Sequence, residues 1–150
     1  MKKAKIRLAR KEDVKAIEDM ILEWSTSQWP EWLPKRTEAI LKALEDPNHL
    51  VSEINEEIVG VLHLIFYSDI LLGSSNCHLN FLLVKERYRS TGVGSRLINE
   101  AVKQAKEKGA IEMHVDTKFD DAAKFYRKLG FKDDGVWLEL RLMLPRKQIL

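Results

Sequence analysis

A chain of 150 residues is the size of one ordinary domain, able to bury roughly 70% of its unfolded surface, so residues 1–150 are expected to form a single unit. Hydrophobic residues at 45%, charged residues at 32% and a net charge of +2 fit a soluble globular protein, and no apolar run approaches the ~20 residues of a membrane helix. The basic start Met1-Lys2-Lys3-Ala4-Lys5 lacks the apolar core of a signal peptide, and a lone Cys77 excludes an internal disulfide, so a cytoplasmic location is expected.

In chain order, Ile6 and Leu8 alternate with Lys5 and Arg7, the period of a half-buried strand. From Glu12 to about Ser27, Val14, Ile17, Met20, Ile21 and Trp24 recur at helical spacing, with Glu12 and Asp13 in the first turn where the helix dipole favours anions. Trp29-Pro30 and Trp32-Leu33-Pro34 break that pattern, and a second helix is expected over Lys35 to Glu45, stopped by Asp46-Pro47. His49 to Asn55 and Ile58 to Ser68 read as strands joined by a turn at Asn55-Glu56-Glu57, and Asp69 to Asn76 reads as a loop before a strand over Cys77 to Val84. A helix from Gly94 to Lys108 stripes Leu97, Ile98, Ala101, Val102 and Ala105 on one face and ends at Gly109. Ile111 to Thr117 alternates again, Asp120 is placed to cap a short helix over Asp121 to Leu129 closed by Gly130, and Val136 to Leu144 supplies one or two more strands.

The stretch that organises this order is Arg89-Ser90-Thr91-Gly92-Val93-Gly94-Ser95, at a strand-to-helix junction. Two glycines two apart allow close backbone approach, and the free N–H groups opening the helix make an anion site, so a phosphate-bearing ligand is expected. A Walker loop would need four residues between its glycines and then Lys-Ser/Thr, and a dinucleotide fingerprint would need glycine where Leu97 stands; neither fits. The pattern Arg89-x-x-Gly92-x-Gly94 resembles the pyrophosphate loop of the GNAT superfamily of acyl-CoA-dependent N-acetyltransferases. The run Ala122-Ala123-Lys124-Phe125-Tyr126-Arg127-Lys128-Leu129-Gly130-Phe131 is similar to that family's Ala-x-x-Phe-Tyr-x-x-x-Gly-Phe segment, and Ile6-Arg7-Leu8-Ala9 before Glu12-Asp13 resembles its opening strand and helix.

The resemblance implies an α/β (α+β) fold: a central mixed, mostly antiparallel sheet flanked by about four helices, in the order β-α-α-β-β-β-α-β-α-β(-β). It implies acetyl-CoA as cosubstrate, held by Arg89, Ser90, Thr91, Gly92, Val93, Gly94 and Ser95 at the loop and by the backbone of Leu82, Leu83 and Val84, whose strand splays from its neighbour to accept the pantetheine arm. Tyr126 falls where many relatives place a phenol near the leaving sulfur, so it is the expected general acid, with core packing of its ring as the alternative. The family's frequent Asn three residues before the motif alanine is Phe119 here. No metal is expected. The activity implied is transfer of an acetyl group to a primary amine in a ternary complex; a non-catalytic acyl-CoA-binding regulatory module is the alternative.

The general base is not visible in the sequence. His78 and Asn80 share one strand face, and Glu31 and Asp69 sit in loops expected to border the acceptor cleft, each with an alternative reading as a solvated polar group. Residues 12–57 carry twelve acidic against four basic side chains, whereas residues 85–108 carry seven basic against three acidic. A basic cofactor half and an acidic other half suggest a cationic small-molecule amine or peptide amine as acceptor, with Trp29, Glu31, Trp32 and Asn80 as candidate binding residues. The acidic balance that follows the basic start argues against a continuous basic face for nucleic acid, no membrane partner is expected, and a homodimer is compatible with this reading.

Overall fold

The computed structural model describes residues 3–25, 31, 34–140 and 142. Among these, five strands form one sheet in the order β1 (Lys5–Leu8), β2 (His49–Ile54), β3 (Glu57–Asp69), β4 (Ser74–Val84) and β5 (Ala110–Val115). The first four pair antiparallel, and β5 runs parallel to β4, a pairing that needs the long crossover supplied by α3. The helices are α1 (Val14–Trp24), α2 (Arg36–Ala43), α3 (Val93–Glu107) and α4 (Asp120–Lys128). This is the mixed, mostly antiparallel sheet with four flanking helices that the sequence implies.

The two sheet faces bury different clusters because neighbouring strand residues point opposite ways. Leu50, Leu62, Leu64 and Leu79 pack with Leu97, Ile98 and Ala101 of α3 and with Tyr126 of α4. Val51 and Val61 pack with Ile17 and Met20 of α1 and Ile40 of α2. Gly60 lets α3 sit close on the sheet: a Cβ there would lie 2.8 Å from Leu97 Cδ1 and 3.0 Å from Val93 Cγ1, both in filled core. Gly60→Ala is therefore expected to destabilise the fold by about 1–3 kcal/mol, the usual cost of overpacking, read as a lower denaturant midpoint at unchanged slope. A stability equal to wild type would mean that Leu97 relaxes freely.

Several expected boundaries shift, each for a local reason. The β2–β3 turn needs only Asn55 and Glu56, both at positive φ (50° and 64°), so Glu57 already belongs to β3. The loop expected over Asp69 to Asn76 shrinks to four residues, because the Asp69 carboxylate accepts the N–H groups of Leu71 (2.9 Å) and Leu72 (3.3 Å) while Gly73 turns at φ +62°. α1 ends at Trp24 rather than Ser27, and α4 begins at Asp120, with Phe119 rather than Asp120 at the cap position. The strand expected over Val136 to Leu144 is not formed by residues 136–140, where Val136, Leu138 and Leu140 are exposed.

Candidate active site

The parallel pairing of β4 with β5 ends at Leu79 and Val115. Beyond that point Phe81 to Val84 stay paired to β3 alone, so Leu82, Leu83 and Val84 lie on a strand whose other edge faces no neighbouring strand among the described residues. The separation starts at an irregularity: His63 pairs with Phe81 and Leu64 with Leu79, leaving Asn80 as the extra residue of a β-bulge. An open edge of backbone N–H and C=O groups is able to take an extended ligand arm as an added strand.

That open strand runs into the glycine loop. Ser90 (φ +61°) and Gly92 (φ +93°) turn the chain through left-handed conformations, and α3 starts at Val93. Helix geometry leaves the N–H groups of Val93, Gly94 and Ser95 without carbonyls four residues back, and among the described residues no side chain caps them. The glycines serve different ends. Gly92 is needed for its φ, whereas a Cβ on Gly94 would meet Phe125 Cζ at 3.2 Å, so Gly94 lets α4 pack against the first turn of α3.

The basic residues near the loop also divide. Glu57 holds Lys85 (2.7 Å), Arg87 and the Tyr88 hydroxyl (3.1 Å), and these partners, Arg87 foremost, pull its carboxyl down to about 2. Lys85 and Arg87 are thus committed to the β2–β3 turn, and the clamp persists until the pH falls well below the ordinary carboxylate range. Arg89 donates Nε–H to the Val84 carbonyl (3.2 Å), and Arg96 lies beside Gly92, so these two cations flank the helix start. Thr91 is turned to the Tyr88 carbonyl, and Ser95 is half-buried in the first turn of α3.

Tyr126 is 9% exposed, its ring set edge-on to Phe125 (5.3 Å) and Phe131 (5.5 Å). Burial raises its phenol above the ordinary value, and the Asp116 carboxylate adds to the rise, so the group stays protonated through the neutral range. Asp116, just past the end of β5, also accepts from His78 Nε2 at 2.9 Å. That bond fixes the proton on Nε2 and leaves the Nδ1 lone pair of His78 for another partner. Trp137 stacks on His78 at 5.9 Å. Asp116 is thus common to both groups near where β4 and β5 part: it accepts from His78, and its charge acts on the Tyr126 phenol.

Of the other expected residues, Asn80 sits in the bulge with its amide donating to His63 Nδ1 (3.2 Å), and Glu31 is exposed in a turn. Trp29 and Trp32 lie outside the described residues. Phe119 is exposed at the start of α4 and offers no polar side chain. Asp69 is occupied in capping its own turn. Asp46, His49 and His63 were not singled out by the sequence, and only the register of β2 on β3 brings the two histidines opposite each other. Burial holds the His49 imidazole below its ordinary value.

The profile of the Acetyltransferase (GNAT) family matches residues 18–131. An uncharacterized N-acetyltransferase of Methanocaldococcus jannaschii is 34% identical over an alignment of 64 positions that covers 39% of this chain and 28% of that relative's length. A solved transcriptional regulator from Bacillus halodurans superposes with a TM-score of 0.81 at 27% identity, covering 93% of this chain and 100% of its own. An aminoglycoside N-acetyltransferase solved in complex with CoA superposes with a TM-score of 0.75 at 20% identity, covering 93% and 94%.

Proposed function

The chain belongs to the Acetyltransferase (GNAT) family, and from that membership we propose that it transfers the acetyl group of acetyl-CoA to a primary amine by direct attack in a ternary complex. The observation that carries this reading is the parting of β4 from β5 after Leu79 and Val115, which opens a strand edge leading to the N-terminus of α3. Pantetheine would pair with the backbone of Leu82, Leu83 and Val84. The pyrophosphate would meet the N–H groups of Val93, Gly94 and Ser95 with Arg89 and Arg96 beside them.

In this reaction the amine nitrogen forms a bond to the acetyl carbon as the carbon–sulfur bond breaks. The proton lost by the amine goes to His78 Nδ1, whose other nitrogen Asp116 holds in the right tautomer, and the departing sulfur takes a proton from Tyr126. An amine of pKa near 10 is neutral in only about 0.1% of molecules at pH 7, so a base is needed most at neutral pH. Cys77 is excluded as an acyl carrier by position: it is fully buried, and burial raises its thiol.

The acceptor class follows from charge. Asp19, Glu23, Glu57 and Glu86 line a hollow with Lys85 and Arg87; Glu57 is taken up by those two cations, and the acids left over, with Glu31 in the turn after α1, favour a cationic amine over an anionic one. The solved aminoglycoside acetyltransferase supports a polyamine-like or aminosugar-like small molecule, with a basic peptide terminus as the larger version of the same chemistry. The second reading, an acyl-CoA-binding regulatory module, draws on the relative described as a transcriptional regulator.

A panel of cationic, neutral and anionic amines with acetyl-CoA, scored by release of free coenzyme thiol, separates the two. Turnover with a cationic primary amine is expected. His78→Ala should slow that turnover at pH 7 by about tenfold or more, with a smaller deficit as the pH nears the amine's own pKa. Acetyl-CoA binding without thiol release across the panel would favour the regulatory reading.

A further inference from the structure

We propose that Asp46, His49 and His63 form a binding site for one divalent transition-metal ion of the zinc class, apart from the acyl-transfer machinery. The three side chains come from the α2–β2 turn, the start of β2 and the middle of β3, and one donor atom from each lies within 4.8 Å of the other two. His49 and Asp46 have their remaining polar atoms held in the way metal ligands require, and the Asn80 amide stands beside the second nitrogen of His63.

His49 donates its Nδ1–H to the Asp46 carbonyl oxygen at 2.9 Å, since a carbonyl can only accept, and this leaves the lone pair on Nε2. No described residue hydrogen-bonds that Nε2, although His49 is only 4% exposed. His63 is anchored at Nδ1 by the Asn80 amide, and its Nε2 faces Asp46 Oδ2 at 2.8 Å. The other carboxylate oxygen of Asp46 accepts from both the backbone N–H and the side-chain amide of Asn48, each at 2.9 Å. Two imidazoles and one carboxylate suit zinc, cobalt or nickel rather than magnesium or calcium, which prefer all-oxygen shells.

The rings of His49 and His63 are stacked, 3.9 Å apart and parallel within 1°, so their lone pairs run side by side. Tetrahedral zinc places its ligand atoms about 3.4 Å apart, so binding requires a turn of one ring about its Cβ–Cγ bond to converge the nitrogens and a slight opening of the His63–Asp46 pair from 2.8 Å. The ion takes the place of the proton between His63 Nε2 and Asp46 Oδ2; that proton moves to His63 Nδ1, where the Asn80 amide turns to accept it through Oδ1, so the imidazole stays neutral. Three protein ligands leave a fourth position to water, on the Asp46 side, where the carboxylate is 39% exposed.

The test uses untagged protein stripped with chelator, titrated by calorimetry with Zn²⁺ and separately with Mg²⁺. It is repeated with Co²⁺, whose absorption spectrum reports the ligand set. The expected result is one Zn²⁺ per chain, no response to Mg²⁺, and a thermal midpoint that rises with Zn²⁺. His63→Ala and the isosteric Asp46→Asn should each weaken binding at least tenfold, whereas His114→Ala, whose ring is held by Tyr67 (3.1 Å) and Glu112 (3.0 Å), should bind as wild type. Asp46→Asn keeps the test open should His63→Ala fail to fold. Absence of Zn²⁺ binding at 1 mM, or undiminished binding by both variants, overturns the site. The outcome does not depend on acetyl transfer, because the readout is the metal alone.

Discussion

Replacing Tyr126 by phenylalanine is expected to lower the single-turnover rate of acetyl transfer by about 10²–10⁴-fold while leaving acetyl-CoA affinity nearly unchanged. The substitution is a clean one here. The Tyr126 ring is packed edge-on against Phe125 and Phe131, contacts that phenylalanine keeps, and no described residue hydrogen-bonds the hydroxyl, so its removal leaves no orphaned partner. Single-turnover measurement is required because slow product release would hide the chemical step.

The pH profile gives a second, independent readout. A general acid must be protonated, so its contribution is lost as the pH rises through its pKa. Burial first, and the Asp116 charge second, hold the Tyr126 phenol above its ordinary value, which moves the alkaline limb up beyond that of a free phenol. Asp116→Asn removes the second cause, and the limb should move to lower pH. The same change also loosens His78 and reduces the overall rate, but amplitude and limb position are separate observables. An unchanged rate in Tyr126→Phe would make the residue a packing element of the α3–α4 core.

The second large effect is expected at Gly92. At φ +93° this residue carries a conformation that costs an L-amino acid about 1–2 kcal/mol, and its position opens α3 where the N–H groups are free. Gly92→Glu adds that strain, places a carboxylate where phosphate is expected, and offers Arg96, 3.9 Å from the built Cβ, a competing partner. Loss of charge-assisted contacts worth about 1.5–3 kcal/mol corresponds to acetyl-CoA affinity falling about ten- to hundredfold. Calorimetry on Gly92→Ala separates the two causes, since alanine brings the strain without the charge.

Wild-type binding should also weaken as salt rises, because Arg89 and Arg96 act near the surface. Their number is small. Lys85 and Arg87, equally basic in sequence, are taken by Glu57, so the salt dependence should be shallower than the basic segment 85–108 suggests. Full acetyl-CoA affinity in Gly92→Glu would remove the loop from the coenzyme site.

How much of this was legible beforehand can be judged residue by residue. The strand-to-helix junction at the glycine loop, the amphipathic stripe of α3 and the placement of Tyr126 on a short helix ended by Gly130 are all written in neighbouring residues. Backbone sterics and the 3.6-residue period act over a few positions, so the sequence alone carried them. The family motifs, too, are local patterns. Gly94 was legible as glycine but not in purpose, because Phe125, which fills the space a Cβ would need, comes from another helix.

What only the tertiary structure decided are the pairings across strands. The bulge at Asn80, the end of parallel pairing at Leu79 and Val115, the hydrogen bond from His78 to Asp116 and the meeting of His49 with His63 all depend on register. A slip of one residue would send each of these side chains to the opposite face. Glu57 shows the same limit for charge: its claim on Lys85 and Arg87 joins residues nearly thirty positions apart, and composition could count those cations without saying which were free. Local forces set what each segment is, whereas the site is assembled by contacts between segments distant in sequence, which only the closed sheet makes definite.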